Sequence, residues 1–311
     1  MPQRKIPVRE LTDFIIKVRY HSSQEMDERR HVSIVRNLAN RMYRNHIGYN
    51  YRGEPRLKGQ NEQPFADSVA MRAEYQRRFR EALPAMGTLK VKYLGHSGFK
   101  ILGSQVVFID PYLTGNRFAP MIGTAVQHAD LVLVTHDHPS HVGDAFEICR
   151  RTKARLVGVS GLADGERGKG VRFEPMNLGG SICLEGVSIH MVQSIHVGKG
   201  LPTAGFVVEM DEYVVYHAGD TALFDEMKRI GTDFSVDLAC VPIGDRFTMG
   251  TRDAARAVEL VRPRHVVPIH YNTFPEIVQD PEEFRLLVGE ASEVAVLKPG
   301  EEFLLDRRRI P

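Results

Sequence analysis

The chain has 311 residues, 42% of them hydrophobic and 26% charged, which suffices for one large core or a core with a smaller appendage; the formal net charge of +2 gives no global reason for a nucleic-acid partner. No apolar run is long enough to span a bilayer, and the N-terminal MPQRKIPVRELTDFII lacks an uninterrupted apolar stretch of the signal-peptide kind, so a soluble, cytoplasmic protein without a membrane partner is expected. The three cysteines, Cys149, Cys183 and Cys240, are widely spaced and form no C-x-x-C pair; each lies beside apolar residues and reads as a small core residue in a reducing compartment.

In chain order, the texture changes near Gly87. Up to that residue there are 17 Lys and Arg against 10 Asp and Glu, and after it 24 against 29. The first part reads as helical. Val32, Val35, Leu38, Ala39, Met42 and Tyr43 recur at spacings of three and four, which predicts an amphipathic helix over Met26–Ile47. The stretch from Asn50 to Pro64 carries Gly53, Pro55, Gly59 and Pro64 and reads as a loop, and a second helix is predicted from about Phe65 to Leu83. Basic residues here alternate with acidic ones, as in MDERR, so a solvated or packing face is favoured over a nucleic-acid or membrane patch. Residues 1–87 are read as a helical N-terminal extension and 88–311 as a second domain. If the protein associates, a homo-oligomer joined through the N-terminal helices is the plainer expectation.

From Thr88 onward the texture is mixed α/β. KVKYL, FKIL and VVFID read as short strands in hairpin order. LVLV reads as a buried strand, followed by strand-like VSIHMVQSIHV, AGFVVEM and EYVVYHAGD. Helices are predicted over roughly His141–Arg151, Ala222–Ile230, Arg252–Val261 and Pro281–Glu290. Hairpins followed by strands alternating with helices indicate sheets covered by helices.

The chemistry concentrates at strand ends. THDHPSH, Thr135 to His141, directly follows LVLV and places His136, His138 and His141 within six residues. His136 and His138 are two apart, so an extended segment points both to one side, and imidazole nitrogens suit zinc and other borderline divalent metals. His196 ends the VSIHMVQSIHV pattern, Asp220 lies in HAGD after EYVVY, and His270 lies in PIHYN after HVV. Each alone is as compatible with a satisfied core or surface residue. Together, at successive strand ends, they indicate one rim of ligands.

This constellation resembles the metallo-β-lactamase superfamily, whose signature is H-x-H-x-D-H followed by a His, an Asp and a final His. More narrowly it is similar to metal-dependent hydrolases related to ascorbate-6-phosphate lactonase. The text that carries the resemblance is YLGHSGFKI (93–101), FIDPYL (108–113), LVTHDHPSHVGDA (133–145), YHAGDTALF (216–224), PIGDRFTMG (242–250) and PIHYNTFP (268–275). It covers about Leu89 to the C-terminus and leaves the first 87 residues as an addition. The resemblance implies an αββα sandwich with one or two divalent metals at one edge. It implies that His136, His138 and His196 hold the first metal, that His141 and His270 hold the second, and that Asp220 bridges them. Zinc stands first, with manganese, iron and nickel as alternatives. Asp110 matches a residue that orients a metal-bound imidazole. His96, His217 and Tyr271 fall at motif positions near the site. His96 and His217 are candidate proton donors, and Tyr271 is a candidate substrate contact together with Arg246, whose guanidinium suits a phosphate or carboxylate.

The sequence departs from the signature at Ser140, where the pattern has Asp. A neutral hydroxyl is a poor ligand, so the second site loses a charged donor. A one-metal enzyme, a weaker second metal on His141, Asp220 and His270, compensation by Asp144 one helical turn along, or a retained fold without catalysis all follow from that exchange. The expected activity is hydrolysis of an ester, lactone or phosphodiester of a small molecule by metal-activated water, with Asp220 orienting that water. The rivals are a nucleic-acid phosphodiesterase of the same fold and a non-catalytic binding module.

Overall fold

The structure, a computed structural model, describes residues 88–306. The predicted helices over Met26–Ile47 and Phe65–Leu83, the 1–87 extension they define and the oligomer contact assigned to them lie outside the described residues. Among the described residues, no helix is long and apolar enough to cross a membrane.

Two seven-stranded sheets face each other. The first contains β1 (Thr88–Gly95), β2 (Gly98–Leu102), β3 (Val106–Ile109), β4 (Leu131–Val134), β5 (Arg155–Val159), β6 (Arg172–Met176) and β14 (Glu302–Asp306), in the order β14-β1-β2-β3-β4-β5-β6. The second contains β7 (Ser181–Leu184), β8 (Val187–Gln193), β9 (Ala204–Met210), β10 (Tyr213–His217), β11 (Leu238–Pro242), β12 (His265–Ile269) and β13 (Glu293–Val294), in the order β13-β12-β11-β10-β9-β8-β7. Each sheet is antiparallel where hairpins build it and parallel from β3 to β6 and from β10 to β13. The predicted switch from hairpins to alternating strands and helices is thus present, and it occurs twice.

The core between the sheets follows from period-two alternation. In β9, Phe206, Val208 and Met210 face it while Val207 faces the other way; in β11, Leu238 and Cys240 face it while Ala239 and Val241 do not. The outward residues meet α3 (Met227–Asp233), α4 (Thr251–Val261) and α5 (Pro281–Val288), through Met227, Ile230, Ala254, Ala257, Val258, Val261, Phe284 and Val288. Strands buried on both faces read as continuous apolar runs, and LVLV of β4 is buried at all four positions. In α4 the buried Ala254, Ala257, Val258 and Val261 recur at three and four. In α5 the Asp280 carboxylate accepts from the Glu282 amide 2.9 Å away, with Pro281 in the first turn. Burying Phe284 contributes about 2–3 kcal/mol to holding α5 on the sheet. The helix α2 (Ala145–Thr152) packs on β4 and β5, which completes an αββα sandwich.

Three expectations are corrected. The helix predicted over His141–Arg151 is two helices, α1 (Pro139–Val142) and α2, separated at Gly143. The helix predicted over Ala222–Ile230 starts only at Met227; the preceding stretch is tied elsewhere, the Ala222 amide donating to the Ile195 carbonyl and the Thr221 carbonyl accepting from the Met249 amide. Cys149 and Cys240 are buried, but Cys183 is exposed, since it lies on β7 at the edge of its sheet.

Candidate metal centre

The fold delivers the chemistry-bearing residues to one rim. His136 and His138 follow β4, His196 lies three residues beyond β8, Asp220 three residues beyond β10, and His270 directly follows β12. The chain then turns sharply at α1, where His138 is the N-cap and Pro139 opens the helix, so that His141 comes round beside His136 with ring centroids 4.0 Å apart. Gly143 allows this turn. Its φ is 42°, and a Cβ there would lie 2.4 Å from the Pro111 carbonyl oxygen. Gly219 does the same for Asp220: its φ is 65°, and a Cβ would lie 2.5 Å from the Ala204 carbonyl oxygen.

Two groups of donors result, His136, His138, His196 and Asp220 in one, and His96, His141 and His270 in the other, the ligand atoms of each lying within 4.8 Å of one another. Asp220 Oδ2 stands between them. It is 3.8 Å from His136 Nε2 and 3.7 Å from His196 Nε2 on one side, and 3.2 Å from His141 Nε2 and 3.0 Å from His270 Nε2 on the other. His138 Nδ1 completes the first group, 2.9 Å from His136 Nε2 and 3.4 Å from His196 Nε2.

Hydrogen bonds behind the rings fix which nitrogen faces inward. Asp110 is fully buried; its Oδ2 accepts from His141 Nδ1 at 2.7 Å and from the Thr135 hydroxyl at 2.7 Å, and its Oδ1 accepts from the Thr135 amide at 2.8 Å. Because the Thr135 hydroxyl donates to Asp110, it accepts from His136 Nδ1, 3.0 Å away. Both histidines therefore keep the Nε2 lone pair for the centre, the usual role of a carboxylate behind a ligand imidazole. Asp110, His96 and His270 have φ of 45°, 53° for His270 and 57° for His96, a left-handed backbone that non-glycine residues adopt only where surroundings impose it.

The donor set fits a divalent cation. Zinc–nitrogen bonds of ~2.0–2.1 Å in tetrahedral geometry separate ligand atoms by roughly 3.4 Å, the scale of the distances given above. His96 Nε2, His141 Nε2 and Asp220 Oδ1 are buried without a hydrogen-bond partner, an arrangement that costs free energy unless another ligand meets them. Burial works against charge on His141, but the carboxylates of Asp220 and Asp110 outweigh it and push its pKa up to about 10. Burial would likewise raise Asp220, yet His141 and His270 hold it well below the usual carboxylate range. Burial and the neighbouring rings push His136, His138 and His196 down, so they present neutral nitrogens. A proton on His141 and a divalent cation would compete for the same place.

A family model described as beta-lactamase superfamily domain matches residues 90–270. A UPF0173 metal-dependent hydrolase of Thermococcus kodakarensis is 46% identical over 226 residues, 70% of this chain and 100% of the relative. Its counterpart in Pyrococcus horikoshii is 47% identical over 226 residues with the same coverage. The chain belongs to the beta-lactamase superfamily, among these UPF0173 relatives. The solved structure of Igni18, a metallo hydrolase from Ignicoccus hospitalis, is 37% identical, with a TM-score of 0.66, and covers 70% of this chain and 99% of that one. The superfamily match and the relatives thus account for the sandwich.

Against this superfamily frame, the structure brings together all six candidate ligands from the sequence and sets Asp110 behind them. It places the other candidates as follows. His217 is fully buried and both its ring nitrogens are engaged, Nε2 with the Ser97 carbonyl at 2.8 Å and Nδ1 with the Gly219 amide at 3.2 Å, so it has no free position from which to donate a proton. Asp144 does not compensate for Ser140: its Oδ2 accepts from the amides of Leu113 and Thr114 at 3.0 and 2.7 Å. Tyr271 packs against the apolar cluster beneath α4 and α5, and burial, with Glu282 nearby, pushes its hydroxyl up to about 12. Arg246 is exposed, with its guanidinium 5.5 Å from the Phe247 ring centroid. Ser140 is half-buried on α1. The sequence reading missed Thr135, although a threonine directly before the first histidine was the available signal, and it missed Thr273, for which no local signal existed.

Proposed function

We propose that the chain hydrolyses a small ester, lactone or phosphodiester with apolar substituents, using a divalent metal, zinc first, held by His136, His138, His196 and Asp220 and extended by His141 and His270. The observation that carries this reading is the convergence of imidazole nitrogens on Asp220 Oδ2, with the ring tautomers set by Asp110 and Thr135. The chemistry supplied when a divalent ion is bound there is Lewis acidity and activation of water.

The chain's own groups account for the rest. Asp220 Oδ2 faces the ligand nitrogens, while Oδ1 is buried and unpartnered; Oδ1 orients the attacking water, takes its proton and returns that proton to the leaving group. His138 and His196 are half-buried, whereas His136 and His141 are fully buried, so substrate approaches from the His138–His196 side. Exposed Ile195 and Val197 flank His196 there, and Phe274, also exposed, stacks edge-on against His96 at 5.4 Å. This rim favours apolar acyl or aryl groups over highly charged polymers.

The test is turnover of p-nitrophenyl esters, simple lactones and bis(p-nitrophenyl) phosphate by the metal-loaded full chain. Hydrolysis of at least one class, abolished by chelation and by His138→Ala, is expected. A fully loaded protein that turns over none of the three would overturn the proposal.

A further inference from the structure

We infer that His96 is a metal ligand: with His141 and His270 it forms a second, fully enclosed imidazole site for a divalent cation, which does not depend on Ser140. This rests on the reading of the centre as a divalent-metal site and adds a residue to it.

His96 comes from the turn between β1 and β2, far in sequence from both partners, yet its ring centroid lies 4.3 Å from that of His270 and 5.4 Å from that of His141. The three residues are buried, with relative exposures of 1%, 0% and 5% for His96, His141 and His270. The backbone of His96 is held on two sides: its carbonyl accepts from the Tyr93 hydroxyl at 2.9 Å and from the His270 amide at 2.7 Å. These bonds maintain its φ of 57°, and they couple its position directly to that of His270.

The ring is oriented as a ligand ring. Nδ1 lies 3.1 Å from the Thr273 hydroxyl, which in turn lies 3.4 Å from the Tyr271 carbonyl. With that carbonyl as its acceptor, the hydroxyl receives the Nδ1 proton, and Nε2 keeps its lone pair. That Nε2 is buried and has no hydrogen-bond partner, as is Nε2 of His141. A purely structural histidine this deeply buried would spend both nitrogens, as His217 does. Three imidazoles with the Asp220 carboxylate alongside form a donor set that suits zinc and similar ions, and in this set a neutral Ser140 costs the site no ligand.

The experiment is a Co(II) titration of the metal-stripped full chain, read by visible absorption and by metal per chain after removal of free ion. Wild type and Ser140→Ala are expected to bind two equivalents in two phases. His96→Ala is expected to keep one phase, and His138→Ala to lose the other. Should His96→Ala fail to fold, Thr273→Val leaves the ligand in place and is expected to weaken the same phase about 10- to 100-fold. Two wild-type phases in a folded His96→Ala, or an unchanged second phase in Thr273→Val, would overturn the inference. A single equivalent in wild type would overturn it while leaving a one-metal hydrolase intact, and no binding at all would overturn both readings.

Discussion

The two halves of the metal centre are built differently. His138 and His196 stand at its half-open edge with the fully buried His136 behind them, on segments that follow β4 and β8. His96, His141 and His270 are enclosed and reach their places through a tight turn at Gly143 and through left-handed backbone at His96 and His270. The His136–His138 pair is suggested by its two-residue spacing directly after a strand, although the chain bends at Thr135–Asp137 rather than continuing extended. The second group depends on bonds between distant segments, such as His270 N–H to the His96 carbonyl at 2.7 Å. What joins them is Asp220 from the front and Asp110 with Thr135 from behind. The His138–His196 edge is partly exposed, and the His96, His141 and His270 group is buried.

The largest predicted effect comes from removing what both halves share. Asp110→Ala strips an acceptor from His141 Nδ1, the Thr135 amide and the Thr135 hydroxyl. Each buried donor left unpartnered costs about 1–3 kcal/mol, so a stability loss of roughly 3–5 kcal/mol is expected in denaturant unfolding. Metal affinity should fall by a further 10- to 100-fold, approximately. A variant that unfolds like wild type would mean that Asp110 does not support the centre. Next is Gly143→Ala, whose Cβ would press against the Pro111 carbonyl and Tyr112 Cα. A loss of about 1–3 kcal/mol in thermal unfolding is expected, with weakening of the His141 half in particular; an unchanged melting curve would contradict the turn assigned to α1.

A smaller change tests how the link behind the rings divides between the two halves, since the Thr135 hydroxyl lies 3.0 Å from His136 Nδ1 and 3.4 Å from His141 Nδ1. Thr135→Val removes the hydroxyl between His136 and Asp110 and is expected to weaken the edge site about tenfold in a Co(II) titration. Equal weakening of both phases would show that the halves are not separable in this way. The smallest effect concerns the cysteines. Burial pushes the Cys149 thiol up to about 12 and raises Cys240 further, so at pH 8 both are protonated and enclosed. Alkylation of the native protein is expected at exposed Cys183 first, with Cys149 and Cys240 reacting only on unfolding. Mass spectrometry showing prompt labelling of Cys240 would contradict the packing of β11.

These contrasts explain what was legible in the sequence. β4, β9 and β10 are apolar enough to read directly, and the ligands that follow them could be placed at strand ends. β5, β6, β7, β11, β13 and β14 were not read. β14 is defined by pairing with β1, more than two hundred residues away, and β7 has no clean buried face, so local pattern carries little of either. His196 was taken to end a strand, but β8 stops at Gln193 and the ligand sits on the loop beyond it. His96 was legible as a residue near the site and a candidate proton donor, not as a ligand. Its orientation depends on Thr273 and on the His270 amide, which the chain brings to it only when the two sheets close. His217 misled because its position next to Asp220 says nothing of its partners, the Ser97 carbonyl and the Gly219 amide.

The central claim is that one carboxylate organises both halves of the centre. The most direct measurement is metal per chain, alongside ester, lactone and phosphodiester turnover, in Asp220→Ala purified and reconstituted with excess zinc. Asp220 Oδ2 lies 3.0 to 3.8 Å from imidazole nitrogens of both groups, so the account predicts less than one metal per folded chain and no hydrolysis. A folded variant that retains its full metal content and hydrolyses within a few fold of wild type would contradict it.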